Sequence, residues 1–164
     1  MYILAIFGVI VVVVLTALMT QGMSGGWIMM IDFPSLFLLV LIGVPVLLAS
    51  GLGKDFINAF HLALGKEKQA GLTELKRASE AADCFMKVIR YGSVFIAVLE
   101  FINIYNVADD PQLWRANLVV TSTVLLYAFA INILMLPVKY RLNTKVINYM
   151  ESAEEPEKTE EAIE

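Results

Sequence analysis

Long stretches of this chain carry no charged residue, and that feature narrows what it can fold into more than any other. Four segments have the length a membrane-spanning helix needs, roughly 20 mostly apolar residues. They are Ile3 to Met19, rich in Val and Ile; Pro34 to Leu52; Val88 to Val107, interrupted by Arg90, Glu100 and Asn103; and Leu118 to Val138. Of the 164 residues 59% are hydrophobic and only 17% charged, where a soluble domain carries about 25% charged. In lipid the backbone must satisfy its own hydrogen bonds, so these segments are helices despite their β-branched content. The sequence predicts an all-α integral membrane protein in six parts. Residues 1–20 are a first transmembrane helix, 33–52 a second, and 53–86 a short cytoplasmic helical insert. Residues 87–107 are a third transmembrane helix, 117–142 a fourth with its cytoplasmic extension, and 143–164 an acidic, largely disordered tail. The first segment lacks both the basic flank and the small-residue cleavage site of a signal peptide.

The basic residues orient the spans. Lys54, Lys66, Lys68, Lys76, Arg77 and Lys87 lie between spans two and three, and Lys139, Arg141 and Lys145 follow span four. The loop after span one has none, and the loop after span three has only Arg115, beside Asp109 and Asp110. The positive-inside rule then places both termini and the insert in the cytoplasm, with Trp27 and Trp114 as outer interfacial anchors.

The insert is too short for an enzymatic domain. Residues Asp55 to Leu62 continue span two in helical register, and Thr73 reads as the N-cap of a helix running to Met86 with Glu74 in its first turn. Glu80 and Asp83 fall on its exposed side. His61 is the only histidine and has no ligand partners at helical spacing, so no metal, cofactor or catalytic centre is expected. The single cysteine, Cys84, reads as a small apolar residue. The net charge of −4 is set by seven glutamates in the last fourteen residues, and no basic stripe with interleaved aromatics suggests nucleic acid. From Ser152 the acidic composition, broken by Pro156, predicts disorder.

Polar residues inside the spans are the candidate functional positions, because lipid tolerates them only where they face protein or water. Ser93, Glu100 and Asn103 share one face of span three. Glu100 is either one member of a ring of carboxylates that draws cations, or a side chain that reaches the outer interface or pairs with Arg115. On span four, Asn117, Thr121, Ala128 and Asn132 form a small and polar face, with Ser122 and Thr123 adjoining. Such a face either packs closely against another helix or lines a hydrated path.

Three patches resemble one family. Asp32-Phe33-Pro34-Ser35-Leu36, continuing to Val40-Leu41-Ile42-Gly43, is similar to the start of the second span in MotA-like stators. Gly92-Ser93-Val94 is similar to the Gly-Thr-Val step of the third. Asn132-Ile133-Leu134-Met135-Leu136-Pro137, with Thr123 upstream, is similar to the fourth-span run that ends in proline. Together they resemble the MotA branch of the MotA/TolQ/ExbB proton-channel family, over most of residues 1–60 and 85–145. The departures are Val124 in place of the second of the paired threonines, Leu126 in place of a tyrosine, Arg90 before the Gly-Ser-Val step, and a much shortened insert.

The resemblance implies a homopentamer around a central pore in the bacterial inner (cytoplasmic) membrane. It also implies a single-span MotB/TolR/ExbD-like partner that carries the proton-binding aspartate, with lipid as the surrounding medium. Ser93, Glu100, Asn103, Asn117, Thr121, Thr123 and Asn132 would line the ion pathway, with Pro34 and Pro137 as structural residues. A second reading keeps that fold as a non-conducting assembly scaffold. A third is an unrelated monomeric four-helix bundle whose polar faces simply pack.

Overall fold

The computed structural model describes residues 6–14, 33–65, 70–106 and 109–161. Every regular element among them is an α-helix: α1 (residues 6–14), α2 (Phe33–Ala49), α3 (Gly53–Leu64), α4 (Leu72–Asn106) and α5 (Pro111–Glu161). Much of the expected first span, the loop bearing Trp27, and Lys66 and Lys68 lie outside the described residues.

An antiparallel hairpin of α4 and α5 is the frame of the molecule. At 1.5 Å per residue, their 35 and 51 residues make helices about 52 and 76 Å long. Three polar pairs set their register: Ser79 Oγ donates to Asn143 Oδ1 at 2.6 Å, Lys139 pairs with Asp83, and Arg90 Nη2 donates to Asn132 Oδ1 at 3.5 Å. All three share one antiparallel alignment centred on Pro111. The seam is written into α5 as a heptad. Thr121, Val124, Ala128, Met135, Val138 and Leu142 are all buried, at the 3.5-residue period that keeps one face of a helix on its neighbour. On α4 the answering positions include Leu75, Ala78, Ala82, Ile89 and Ile96. The alanines let the backbones approach, and the larger residues fill the remaining space.

The hairpin turn is built by Asp110-Pro111. Asp110 Oδ1 accepts hydrogen bonds from the amides of Gln112 at 2.9 Å and Leu113 at 3.3 Å, so Asp110 is an N-cap. Proline follows at the first helical position, where no N–H is needed. The fourth helix thus begins several residues before the expected 117. It also runs past the expected end at 142: α5 continues to Glu161, where the acidic composition predicted disorder from Ser152. Glu, Ala and Lys are good helix formers, and extending an existing helix avoids the nucleation cost.

Helix α2 touches the hairpin along one ridge, Ser35, Leu39, Gly43 and Leu47, each four residues from the last. It does not run on into the insert as its register suggested. Gly51 adopts φ +71°, and the amides of Gly51 and Leu52 bond back to the carbonyls of Leu48 and Leu47 at 3.0 and 3.2 Å. That is a Schellman stop, in which glycine takes the left-handed position without steric penalty. The chain turns by 101° into α3.

Helix α3 lies across the hairpin as a strap. Near its start, Arg77 of α4 holds Asp55 Oδ2 through Nε at 3.1 Å and Nη2 at 2.9 Å, and the rings of Phe56 and Phe85 meet with centroids 4.5 Å apart and planes tilted by 39°. At its other end α5 supplies the cap. Arg141 Nη1 donates to the Ala63 carbonyl at 3.2 Å, and Lys145 Nζ to those of Leu62 at 2.7 Å and Gly65 at 3.4 Å. Two cations thereby satisfy the final carbonyls, at the negative end of the α3 dipole. Beneath the strap, Ala59, Leu62 and Ala63 close a core with Leu75, Met135 and Leu142. The described part of the insert is helical, but its second helix does not end at Met86: α4 begins at Leu72, one residue before the expected cap at Thr73, and runs unbroken to Asn106.

Candidate functional site

Four of the seven candidate residues are buried, and two of them, Thr121 and Asn132, lie on the face of α5 that meets α4. Ser93 (2% exposed), Thr121 (2%), Thr123 (8%) and Asn132 (7%) are buried. Asn117 and Glu100 are half-buried, with Glu100 Oε2 shielded from solvent, and Asn103 is exposed on α4. The shared face expected for Ser93, Glu100 and Asn103 therefore passes from the interior to the surface as it moves along α4. Pro34 is the second residue of α2, where a helix accepts proline, and Pro137 sits half-buried inside α5.

The hydroxyls are engaged by their own helices. Thr121 Oγ1 donates to the Asn117 carbonyl and Thr123 Oγ1 to the Val119 carbonyl, both at 2.9 Å, and Ser93 Oγ donates to the Arg90 carbonyl at 2.8 Å. Asn132 Nδ2 donates to the Ala128 carbonyl at 2.8 Å, which leaves its Oδ1 turned toward Arg90. Bonding back to a carbonyl three or four residues earlier is how a hydroxyl enters an apolar helix contact without an unsatisfied donor. A hydroxyl held this way presents lone pairs, not its proton, to anything beside it. It can accept a hydrogen bond from water or from a protonated carboxyl.

A second polar group lies at the edge of the strapped region. Asp83 bridges Lys87, one turn on at 2.7 Å, and Lys139 of α5. The hydrogen bond from Lys139, then that from Lys87, holds the Asp83 carboxyl below its ordinary value, against a smaller opposing effect of burial. The sequence reading put Asp83 on the exposed side, beside Glu80. Glu80 is exposed, but Asp83 turns inward to α5. The spacing Asp83, Lys87 signalled an ion pair, whereas Lys139 is distant in sequence and only the hairpin register brings it near. Among the described residues no group of three His, Cys, Asp or Glu side chains is placed to hold a metal ion.

Among the described residues α5 alone is long and apolar enough to cross a membrane, and α2 with α3 meets the same measure as a bent pair. Comparison with protein-family models, with curated proteins and with solved structures finds no match to this chain.

Proposed function

We propose that this chain is the ring-forming, membrane-embedded subunit of a MotA-like assembly. It crosses the bilayer four times, with both termini and the α3 strap on the cytoplasmic side. Five copies surround a single-span partner whose aspartate carries protons or sodium ions, and ion flow shifts the ring against that partner.

The observation that carries this reading is the two-part character of the hairpin. Both helices outrun the roughly 30 Å hydrocarbon layer. The half nearest the turn leaves large apolar side chains bare, among them Phe95, Val98 and Ile102 on α4 and Val119, Phe129 and Ile133 on α5, and α2 adds Phe33, Phe37 and Leu41. A water-soluble monomer rarely exposes so continuous an apolar surface. The other half carries Lys76, Arg77, Lys87, Lys139, Arg141 and Lys145, and α3 beside it adds Lys54, so the positive-inside rule supports a cytoplasmic position for that half. A second support is spatial. Two of the patches that resemble the family meet: Ile42 lies over Gly92, and Ile89 lies over Gly43.

One observation favours the non-conducting scaffold as a second reading. The hydroxyls of Ser93, Thr121 and Thr123 are committed to their own backbones, and Val124, in place of a family threonine, is 0% exposed in the seam. Native mass spectrometry in mild detergent tests what the two readings share. A pentamer sustains the ring, and a monomer or dimer overturns it. Ion flux into membrane vesicles bearing the assembled complex then separates them. Flux that disappears in a Ser93→Ala/Thr123→Val double variant that still assembles sustains conduction. Absence of flux from the unmodified complex, or equal flux in the variant, refutes a conducting role for these hydroxyls.

A further inference from the structure

Among the described residues, a cleft of about 580 Å³ opens along α4 beside Asp83. That volume is within the ~300–1,000 Å³ of small-molecule sites. One face of α4 from Ser79 to Tyr91 forms it, and Leu52 at the elbow and Lys139 of α5 complete it.

The chemistry of the cleft changes in order along the helix axis. At one end Val88 and Tyr91 present carbon surface. In the middle two ammonium groups meet one carboxylate: Lys87 pairs with Asp83 Oδ2 at 2.7 Å, and Lys139 with Oδ1. Both cations therefore lie at the level of Asp83. At the other end is Glu80, exposed and three residues further on, about 4.5 Å along the axis at 1.5 Å per residue. A lysine ammonium has three N–H donors. Asp83 takes one from each lysine and leaves the others for a phosphate. Two lysines against Asp83 and Glu80 sum to zero, so the cleft matches a ligand that carries both signs and is neutral overall.

On the membrane reading, Tyr91 lies toward the bilayer and Glu80 toward the cytoplasm. A phospholipid of the inner leaflet presents its parts in the same order: acyl chain, phosphate, head group. We propose that this cleft holds a zwitterionic aminophospholipid, of the phosphatidylethanolamine class. Its phosphate lies between Lys87 and Lys139, its primary ammonium donates to Glu80, and its chains start along Val88 and Tyr91. The two carbons between phosphate and ammonium match the short step from the lysine level to Glu80. A phosphatidylglycerol head would bring a negative charge that nothing in the cleft balances, and a choline head has no N–H to donate to Glu80. The proposal rests on the membrane reading and deepens it by naming a lipid class.

The test exchanges the full chain, in mild detergent, against equal amounts of phosphatidylethanolamine, phosphatidylcholine and phosphatidylglycerol, and reads the retained lipid by native mass spectrometry. Phosphatidylethanolamine should be retained several-fold over the other two. Glu80 is exposed, so Glu80→Gln leaves the packing untouched, and it should lower phosphatidylethanolamine to the level of phosphatidylcholine. Lys87→Gln with Lys139→Gln should lower all three. Equal retention of the three lipids, or an unchanged preference in Glu80→Gln, overturns the site. Retention of soluble phosphoethanolamine as tight as that of the lipid overturns a lipid as the occupant. Alkaline extraction of native membranes separates these outcomes from the membrane reading. A chain that resists extraction yet shows no lipid preference keeps its spans and loses the site, whereas a chain that is released loses the spans and the site with them.

Discussion

At Gly92 a side chain would have to share space with Ile42. A Cβ built there meets Ile42 Cγ2 at 3.1 Å and Ile42 Cβ at 3.7 Å, while one built on Gly43 meets Ile89 Cδ1 at 3.2 Å. The two contacts differ in how far the neighbour can yield. Cδ1 is the free end of a side chain, but Cγ2 is fixed to the branched carbon next to the backbone and moves only by rotating the whole side chain. Gly92→Ala is therefore expected to weaken the packing of α2 on α4 by about 1–3 kcal/mol, the usual range for an overfilled site. Gly43→Ala should cost clearly less. Unfolding midpoints in detergent check this, and an equal or larger loss at Gly43 would show that the α2–α4 contact is looser than the geometry implies. A second residue gives a pH signature. The Asp83 carboxyl lies below its ordinary value of 3.8 because Lys139 and Lys87 favour its charged form. Its contribution is thus fully present above that ordinary value and is lost as pH falls through the lowered one. A partly exposed pair of this kind is worth no more than about 1 kcal/mol. Asp83→Asn should be slightly less stable than the unmodified chain at pH 7, and the gap should close in strong acid. A gap that persists unchanged there would mean the substitution acts by packing and not by charge.

Among the elements, α3 depends most on a partner distant in sequence. Its twelve residues are too few to hold a helix alone, and its last carbonyls are served by Arg141 and Lys145 from α5. Lys145→Met removes the donor and keeps much of the side-chain bulk. The amides of residues 60–65 are then expected to exchange hydrogen faster, by the few-fold that a helix-end cation of about 0.3–1 kcal/mol implies, with no change along the buried seam of α5. Equal exchange in the variant would assign the stability of α3 to Phe56, Ala59 and Leu62 alone. The strap also shows where sequence reading stops. The helical character of α4 and α5 is legible from their long apolar runs and that of α3 from its register with span two, and Asp110-Pro111 is a legible start for α5 that lies before the first long uncharged run. The 101° elbow hung on Gly51, one glycine among several in that region. The inward turn of Asp83 and the cap on α3 needed Lys139, Arg141 and Lys145 in place, and pairings across more than fifty residues leave no local pattern. The candidate polar residues were legible as a set, but not their direction: Thr121 and Asn132 could face a pore or a neighbouring helix until the heptad of α5 showed them against α4.

At the scale of the whole molecule the proposal makes one geometric demand. If the bare half of the hairpin lies in lipid, the turn at Pro111 and the strap at α3 are on opposite sides of the membrane. The register supports a sharp border: Asp83, Lys87 and Lys139 lie at one level of the hairpin, and from there to the turn α4 meets only Arg90 and Glu100 as charged residues. Arg90 is within one turn of Lys87, and its guanidinium meets Asn132 Oδ1 on α5. Glu100 is within two turns of the helix end at Asn106, where the cost of a carboxylate is far below that at the bilayer centre. Single cysteines in a Cys84→Ser background read the border directly through a membrane-impermeant maleimide. Cysteines replacing His61 on α3 and Tyr149 on α5, both exposed, should label in inside-out vesicles and resist labelling in intact cells, while one replacing Gln112 at the turn should do the reverse. Labelling of all three from one side would remove the membrane crossing of the hairpin, and with it the ring, because a bundle lying wholly on one face of the bilayer would have to hide its apolar half against protein.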